Sequence, residues 1–224
     1  MLTLYHGTSA KYLKKILKDG LQPRCITKNS NYDGDFVSCP DLIYLTDTHP
    51  MFYAVRAAEE REEEVLILKV KVYERELFPD EDYVAQVIAR QEKHQGEDFE
   101  KRLRELHTTG LVDPRRYKKI WKDSLDTMGT VACKPLPASR IIAHATAPNH
   151  FIKLGHFGAD TNPPAGIGQS FIKGFFAAQY VPRIEALLKD GFEKTFARIM
   201  EEHAERVGGL EKLKKIMKQR ESRE

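Results

Sequence analysis

Residues 65–73, VLILKVKVY, constrain this chain more than any other stretch. The first half is continuously apolar, the pattern of a strand covered on both faces. The second half alternates apolar residues with lysine, the pattern of a strand with one wet face. One strand is not stable alone, so the chain must supply partners for it. Leu2–Gly7 (LTLYHG) is a short apolar run ending at a turn glycine, Leu42–Leu45 is a second, and Thr130–Cys133 and Arg140–His144, joined by a proline-rich turn, complete the set. The expectation is a sheet assembled from segments far apart in sequence.

Helical patterns lie between these strands. In AKYLKKILKDG, Tyr12, Leu13, Ile16 and Leu17 fall at helical spacing with lysines on the other face, Ser9 in capping position and Gly20 at the end. A helix starts at about Pro50, capped by Thr46 or Asp47, and runs through MFYAVRAAEEREEE. Asp80–Leu106 is mostly helical with an interruption at Gly96, and Pro114 opens a short helix through Trp121. Residues 22–41 form a loop long enough to suggest function. The domain plan is a mixed α and β body over 1–148, a Gly/Pro/Asn-rich loop or linker over 149–170, and an all-helical section over 171–224.

Composition excludes some classes. The chain has 224 residues, 41% hydrophobic and 31% charged, with no apolar run approaching the roughly 18–20 residues of a membrane span. MLTLYHGTSA does not read as a signal peptide, so the expectation is a cytoplasmic protein without a membrane partner. Cys25, Cys39 and Cys133 are an odd, widely spaced set, which argues against a disulfide framework or a cysteine zinc site. His144, His150 and His156 lack partners at ligand spacing, so no metal is expected. Gly155, Gly158, Gly166 and Gly168 follow no apolar strand and read as loop glycines. A net charge of +3 permits an anionic partner without demanding one.

Three segments carry chemistry. Tyr5-His6-Gly7-Thr8-Ser9 stands at a strand–helix junction, where a ring nitrogen adjoins backbone free of a Cβ. Tyr44 ends a strand and Tyr53 lies nine positions on in the next helix, so two rings can meet one planar ligand. Pro114–Lys122 (PRRYKKIWK) interleaves Arg115, Arg116, Lys118 and Lys119 with Tyr117 and Trp121. It reads either as a nucleic-acid contact or as a solvated helix face over core aromatics.

The order strand–YHGTS, amphipathic helix, DGLQP, loop, strand–IYLT, helix with Tyr53-Ala54 and strong strand resembles the ADP-ribosyltransferase superfamily over residues 2–73, with a fainter echo at 127–144. The resemblance implies an α+β fold, a split antiparallel sheet body with flanking helices. It also implies NAD as substrate, bound by His6, Gly7, Thr8, Tyr44 and Tyr53. His6 would hold a ribose hydroxyl, Gly7 would pair with the nicotinamide amide, and the two tyrosines would sandwich the nicotinamide ring. The family's glutamate at the start of a late strand has no counterpart here, because Gly129 or Thr130 occupies its place. Asp126 just upstream, Glu81 with its neighbours in Pro79-Asp80-Glu81-Asp82, or no acid at all are the alternatives. The acids at 80–82 also fit plain stabilisation of a helix N-terminus.

The related RNA 2′-phosphotransferases share the YHGTS-like opening but have a histidine where Tyr44 stands, and they need arginines aimed at a phosphate, for which Arg24 and Arg56 are the candidates. A catalytically inactive ligand-binding module is a third reading. The expected acceptor is a macromolecule, RNA or DNA ahead of protein. A toxin or phage-defence role follows by resemblance, with the C-terminal helices available for an antitoxin or for self-association.

Overall fold

A computed structural model of the chain describes residues 1–28, 38–58, 63–149, 173, 180–209, 211, 212, 214 and 215. Six strands, β1 (Leu2–Ser9), β2 (Ile43–Thr46), β3 (Glu64–Val72), β4 (Leu77–Pro79), β5 (Thr130–Cys133) and β6 (Ile141–Pro148), form one antiparallel sheet in the order β4-β5-β2-β1-β3-β6. Among the described residues, eight α-helices accompany it: α1 (Leu13–Asp19), α2 (Arg24–Thr27), α3 (Pro50–Ala57), α4 (Glu81–Gln91), α5 (Gly96–Thr108), α6 (Trp121–Met128), α7 (Val181–Asp190) and α8 (Phe192–Val207). The class is therefore α+β. No helix among the described residues is long and apolar enough to cross a membrane.

The patterning of β3 explains its place. Leu66, Leu68, Val70 and Val72 point to one face, against Leu13 and Ile16 of α1 and Trp121 and Leu125 of α6. Val65 and Ile67 point to the other, against Met51 and Ala54 of α3, Ile184 and Leu187 of α7 and Ile199 of α8. Each fully buried aliphatic side chain contributes about 1.5–3 kcal/mol, so both helical layers are held mainly through this strand. Where the alternation begins, Lys69 leaves the apolar layer and bonds Glu185 of α7 at 2.6 Å.

The sheet has a weak seam. β1 and β3 pair over eight residues, from Leu2 opposite Val72 to Ser9 opposite Val65, whereas β1 and β2 share a single register pair, Tyr5 opposite Thr46. On the far side of the seam, β2 pairs fully with β5 and β5 with β4. Two three-stranded halves thus meet at one point and diverge beyond it.

Several expected boundaries move. β1 runs on to Ser9, so Ser9 caps a short 3-10 turn, Ala10–Tyr12, and α1 begins only at Leu13. Residues 22–41 contain α2, and residues 29–37 lie outside the described set. α3 ends at Ala57, with Ala58 extended, and Glu64 already belongs to β3; residues 59–62 of the acidic run lie outside the described residues. Thr46 accepts hydrogen bonds from the Thr48 and His49 amides, each at 3.2 Å, and serves the turn before α3; the N-cap itself is His49. The Asp80–Leu106 segment is two helices, and Gly96 opens the second with φ +56°. Pro114–Ile120 is a 3-10 turn, and the regular helix is Trp121–Met128. The last strand starts at Ile141 and extends to Pro148.

The C-terminal section is helical where described, and the apolar stripes of α7 and α8 face the sheet: Ile184, Leu187 and Ile199 belong to the core cluster under β1 and β3. The linker expected after Asn149, His150, His156 and the loop glycines Gly155, Gly158, Gly166 and Gly168 lie outside the described residues.

Candidate active site

The divergence of β1 from β2 opens a cavity of about 510 Å³, within the range of small-molecule sites. Its walls include His6, Gly7 and Thr8 from β1, Tyr44 from β2, Tyr53 from α3 and Glu81 from α4. These residues come from four elements and 75 positions of chain, from His6 to Glu81.

His6 stands on β1 beside the seam, and its Nδ1 lies 2.9 Å from the Tyr44 carbonyl oxygen. A carbonyl only accepts, so Nδ1 carries the proton and donates. Burial lowers the pKa of His6, partly opposed by this bond, and the neutral ring therefore presents Nε2 as an acceptor. One contact thus sets the tautomer and bridges the halves of the sheet where the ladder has stopped.

Gly7 has a role that its local sequence does not reveal. A Cβ there would lie 1.8 Å from the Pro50 carbonyl oxygen and 2.8 Å from the Ala54 amide nitrogen. α3 therefore rests on bare β1 backbone, and that close approach carries Tyr53 to the cavity wall. The Tyr53 ring leans on His49, with centroids 5.3 Å apart and planes at 32°, and meets Phe52 edge-on.

Tyr44 packs beside Leu42, Phe78 and Ala132 and holds its hydroxyl against Glu81. The Tyr44 hydroxyl donates to Glu81 Oε1, and the Cys39 amide donates to the same carboxylate oxygen and to Tyr44 Oη, the latter at 2.9 Å. Burial raises the Glu81 pKa, while the bonds from Tyr44 and Cys39 lower it; the net shift is upward. Asp80 is the N-cap of α4 and accepts from the Asp82 amide at 3.0 Å; burial, then the charges of Asp82 and Glu81, push its pKa well up. Plain helix capping thus accounts for Asp80, but it does not account for Glu81, which turns into the cavity.

Asp126 does not line this cavity. It lies exposed in the last turn of α6, 3.9 Å from Lys173. Of the two acids expected from the sequence, the fold brings Glu81 to His6 and Tyr44 and leaves Asp126 aside.

The other wall residues include Arg24 and Arg56, the arginines that the phosphotransferase reading requires, while Lys15 and His107 had no local signature. Lys15, Arg24 and Arg56 bring positive charge from α1, α2 and α3, while the acids all come from the start of α4. Arg24 donates from Nη2 to the Ser38 carbonyl at 2.6 Å, but its buried Nε has no hydrogen-bond partner. His107 of α5 is buried with Nε2 3.2 Å from Asp82 Oδ1. These positions converge only through tertiary packing, and no spacing in the chain marks them.

The basic segment at 114–122 lies apart, along a shallow surface depression of about 790 Å³. Arg115 is paired with Asp41 and Asp113, Lys118 donates to the Arg75 carbonyl at 2.6 Å, and Arg116 and Lys119 are exposed. Tyr117 and Trp121 are partly buried, each packed against an apolar cluster beneath. Compared with known proteins, the chain matches no family model and no curated protein.

Proposed function

We propose that this chain is an NAD-dependent ADP-ribosyltransferase with an ADP-ribosyltransferase-like split sheet, moving ADP-ribose from NAD to a macromolecular acceptor and releasing nicotinamide. The observation that carries the reading is the convergence of His6, Tyr44, Tyr53 and Glu81 on one cavity at the seam of the sheet.

Each side chain has a task suited to its state. His6 Nε2 accepts a ribose hydroxyl and fixes the sugar's orientation. Tyr44 and Tyr53 offer ring faces to the nicotinamide, which is cationic in NAD and attracted to aromatic π-density. The unpartnered Arg24 Nε–H, with Arg56 and Lys15, suits the pyrophosphate. As the bond between ribose and nicotinamide breaks, positive charge builds on the sugar, and the Glu81 carboxylate, held by Tyr44 and Cys39, opposes it without reorganisation. The acceptor's nucleophile then attacks the same carbon, and its proton passes to a base, for which Glu81 is the nearest assignment.

The test is incubation with NAD labelled in the adenylate phosphate, with nicotinamide release followed alongside. Wild type should release nicotinamide and label an acceptor, and His6→Ala and Tyr44→Ala should each remove at least 99% of both. Equal turnover by either variant refutes the assignment. Binding of NAD, seen as a raised Tm, with no nicotinamide release would instead favour an inactive binding module. Arg24 and Arg56 on the cavity wall favour one second reading, RNA 2′-phosphotransfer to NAD; an RNA bearing a 2′-phosphate, with loss of that phosphate as readout, tests it directly.

A further inference from the structure

We propose that the surface from Arg140 to Arg115 is a binding track for single-stranded nucleic acid leading to the cavity, which makes nucleic acid the acceptor class. The acceptor assignment rests on the ADP-ribosyltransferase reading; the binding track itself does not.

A chain of contacts defines the track. The Arg140 and Arg75 guanidinium groups lie 4.1 Å and 4.9 Å from the centre of the exposed Tyr73 ring. Lys118 Nζ bonds the Arg75 carbonyl at 2.6 Å and lies 5.2 Å from the centre of the Phe78 ring. Arg115 reaches Asp41, whose Oδ1 lies 2.9 Å from Cys39 Sγ, and the Cys39 amide bonds Tyr44 and Glu81. The basic surface therefore runs up to the residues that hold the cavity's carboxylate. Arg75, which the sequence pattern at 114–122 did not include, joins it from a separate turn, Glu74–Glu76.

The chemistry selects the partner. The depression is lined by five cations, Arg75, Arg115, Arg116, Lys118 and Lys119, against one acid, Glu74. Arg115 is largely neutralised by Asp41 and Asp113, and Arg140 faces Glu76 at 3.8 Å, so Arg75, Arg116, Lys118 and Lys119 carry the net attraction. An acidic protein would satisfy charge alone. Tyr73 with the Arg140 and Arg75 guanidinium groups over its ring makes an exposed stack of planar groups that a base can extend, and Tyr117 and Trp121 edge the depression. Cations that hold phosphates next to planar groups that stack on bases match a single strand. A duplex hides its base faces, and a base that reacts beside Tyr44 and Glu81 must already be unstacked.

The experiment is binding of fluorescent 20-nucleotide single-stranded RNA and DNA to the full chain across a salt series, with the variants' folding checked by thermal melts. Wild type should bind at 50 mM salt, and R116E/K119E should bind at least tenfold more weakly. The log–log salt slope of that variant should be shallower by about 1.4, since each lost phosphate contact on a single strand removes about 0.7. R116K/K119R should stay within about twofold of wild type. Equal binding by R116E/K119E, no binding by wild type at low salt, or displacement of the oligonucleotide by polyglutamate at equal charge would overturn the track, the last in favour of an acidic protein partner. Nicotinamide release is read separately, with total cellular RNA, DNA and protein supplied as acceptors. If wild type binds oligonucleotide but releases no nicotinamide, the track stands and the transferase reading falls; if it consumes NAD without binding oligonucleotide, only the track falls.

Discussion

The two halves of the sheet are built differently. In β1-β3-β6 the strands are eight or nine residues long and pair over most of their length, and the central one, β3, buries both faces in aliphatic side chains. In β4-β5-β2 the strands have three or four residues, and the layer around them includes buried polar groups: Thr46, Asp80, Glu81, Ser124 and Thr130. The first half is a platform whose stability comes from apolar area. In the second, buried polarity is offset where its groups bond one another, as where Ser124 Oγ accepts from the Asp80 amide and donates to the Thr130 carbonyl. The cavity opens where a stiff surface meets a polar one, with His6 on one side and Tyr44 and Glu81 on the other.

Substitutions can break this contrast, and the largest effect is expected on the polar side. Glu81→Gln should lower ADP-ribosyl transfer about 10²–10⁴-fold, measured as label incorporated, while leaving the thermal midpoint unchanged or raised, because it removes a buried charge. Wild-type activity should fall at acidic pH through a limb lying above the ordinary carboxylate range, since the Glu81 pKa is raised and the working form is ionised. On the platform the pattern should reverse: Leu68→Ala should cost about 2–5 kcal/mol in denaturant unfolding, with turnover per folded molecule little altered. Gly7→Ala should act on both halves at once. Its Cβ drives α3 off β1, for about 1–3 kcal/mol, and a shifted Tyr53 should raise the KM for NAD.

The smallest effect is expected from Asp80→Asn, which keeps a good N-cap. The folded-state pKa of Asp80 lies above its unfolded value, so the wild type is favoured below the unfolded pKa and loses stability as pH rises through the folded one. The variant should therefore melt at higher temperature than wild type at pH 8 and show a smaller advantage, or none, at pH 4. A lower midpoint at pH 8 would mean that the Asp80 charge is compensated in the fold.

Much of the platform was legible in the sequence because its determinants are local. The switch from continuous to alternating apolar residues in 65–73 reproduces the neighbours of β3 almost residue by residue. His6, Tyr44 and Tyr53 were legible as motif positions. The choice between Glu81 and Asp126 was not, since Glu81 meets Tyr44 across 37 positions and its neighbours fit helix capping equally well. Gly7 suggested ligand access, whereas its tightest constraint is the backbone of α3. Arg24 was a candidate only through the phosphotransferase pattern, and Arg75 gave no signal because its partner Lys118 lies in another turn.

The Tyr5–Glu185–Lys69 contact has a consequence for the timing of synthesis. Glu185 arrives 180 residues after Tyr5, and α7 and α8 supply the cover for the rear of β1 and β3. While the ribosome is still making those helices, Val65 and Ile67 are covered on that side by α3 alone, and the strand that carries His6 lacks part of its backing. Closing so long a loop is slow compared with local pairing. The cavity wall is thus synthesised well before α7 and α8 and fully secured only with them, and the nascent chain stays prone to aggregate until those two helices emerge.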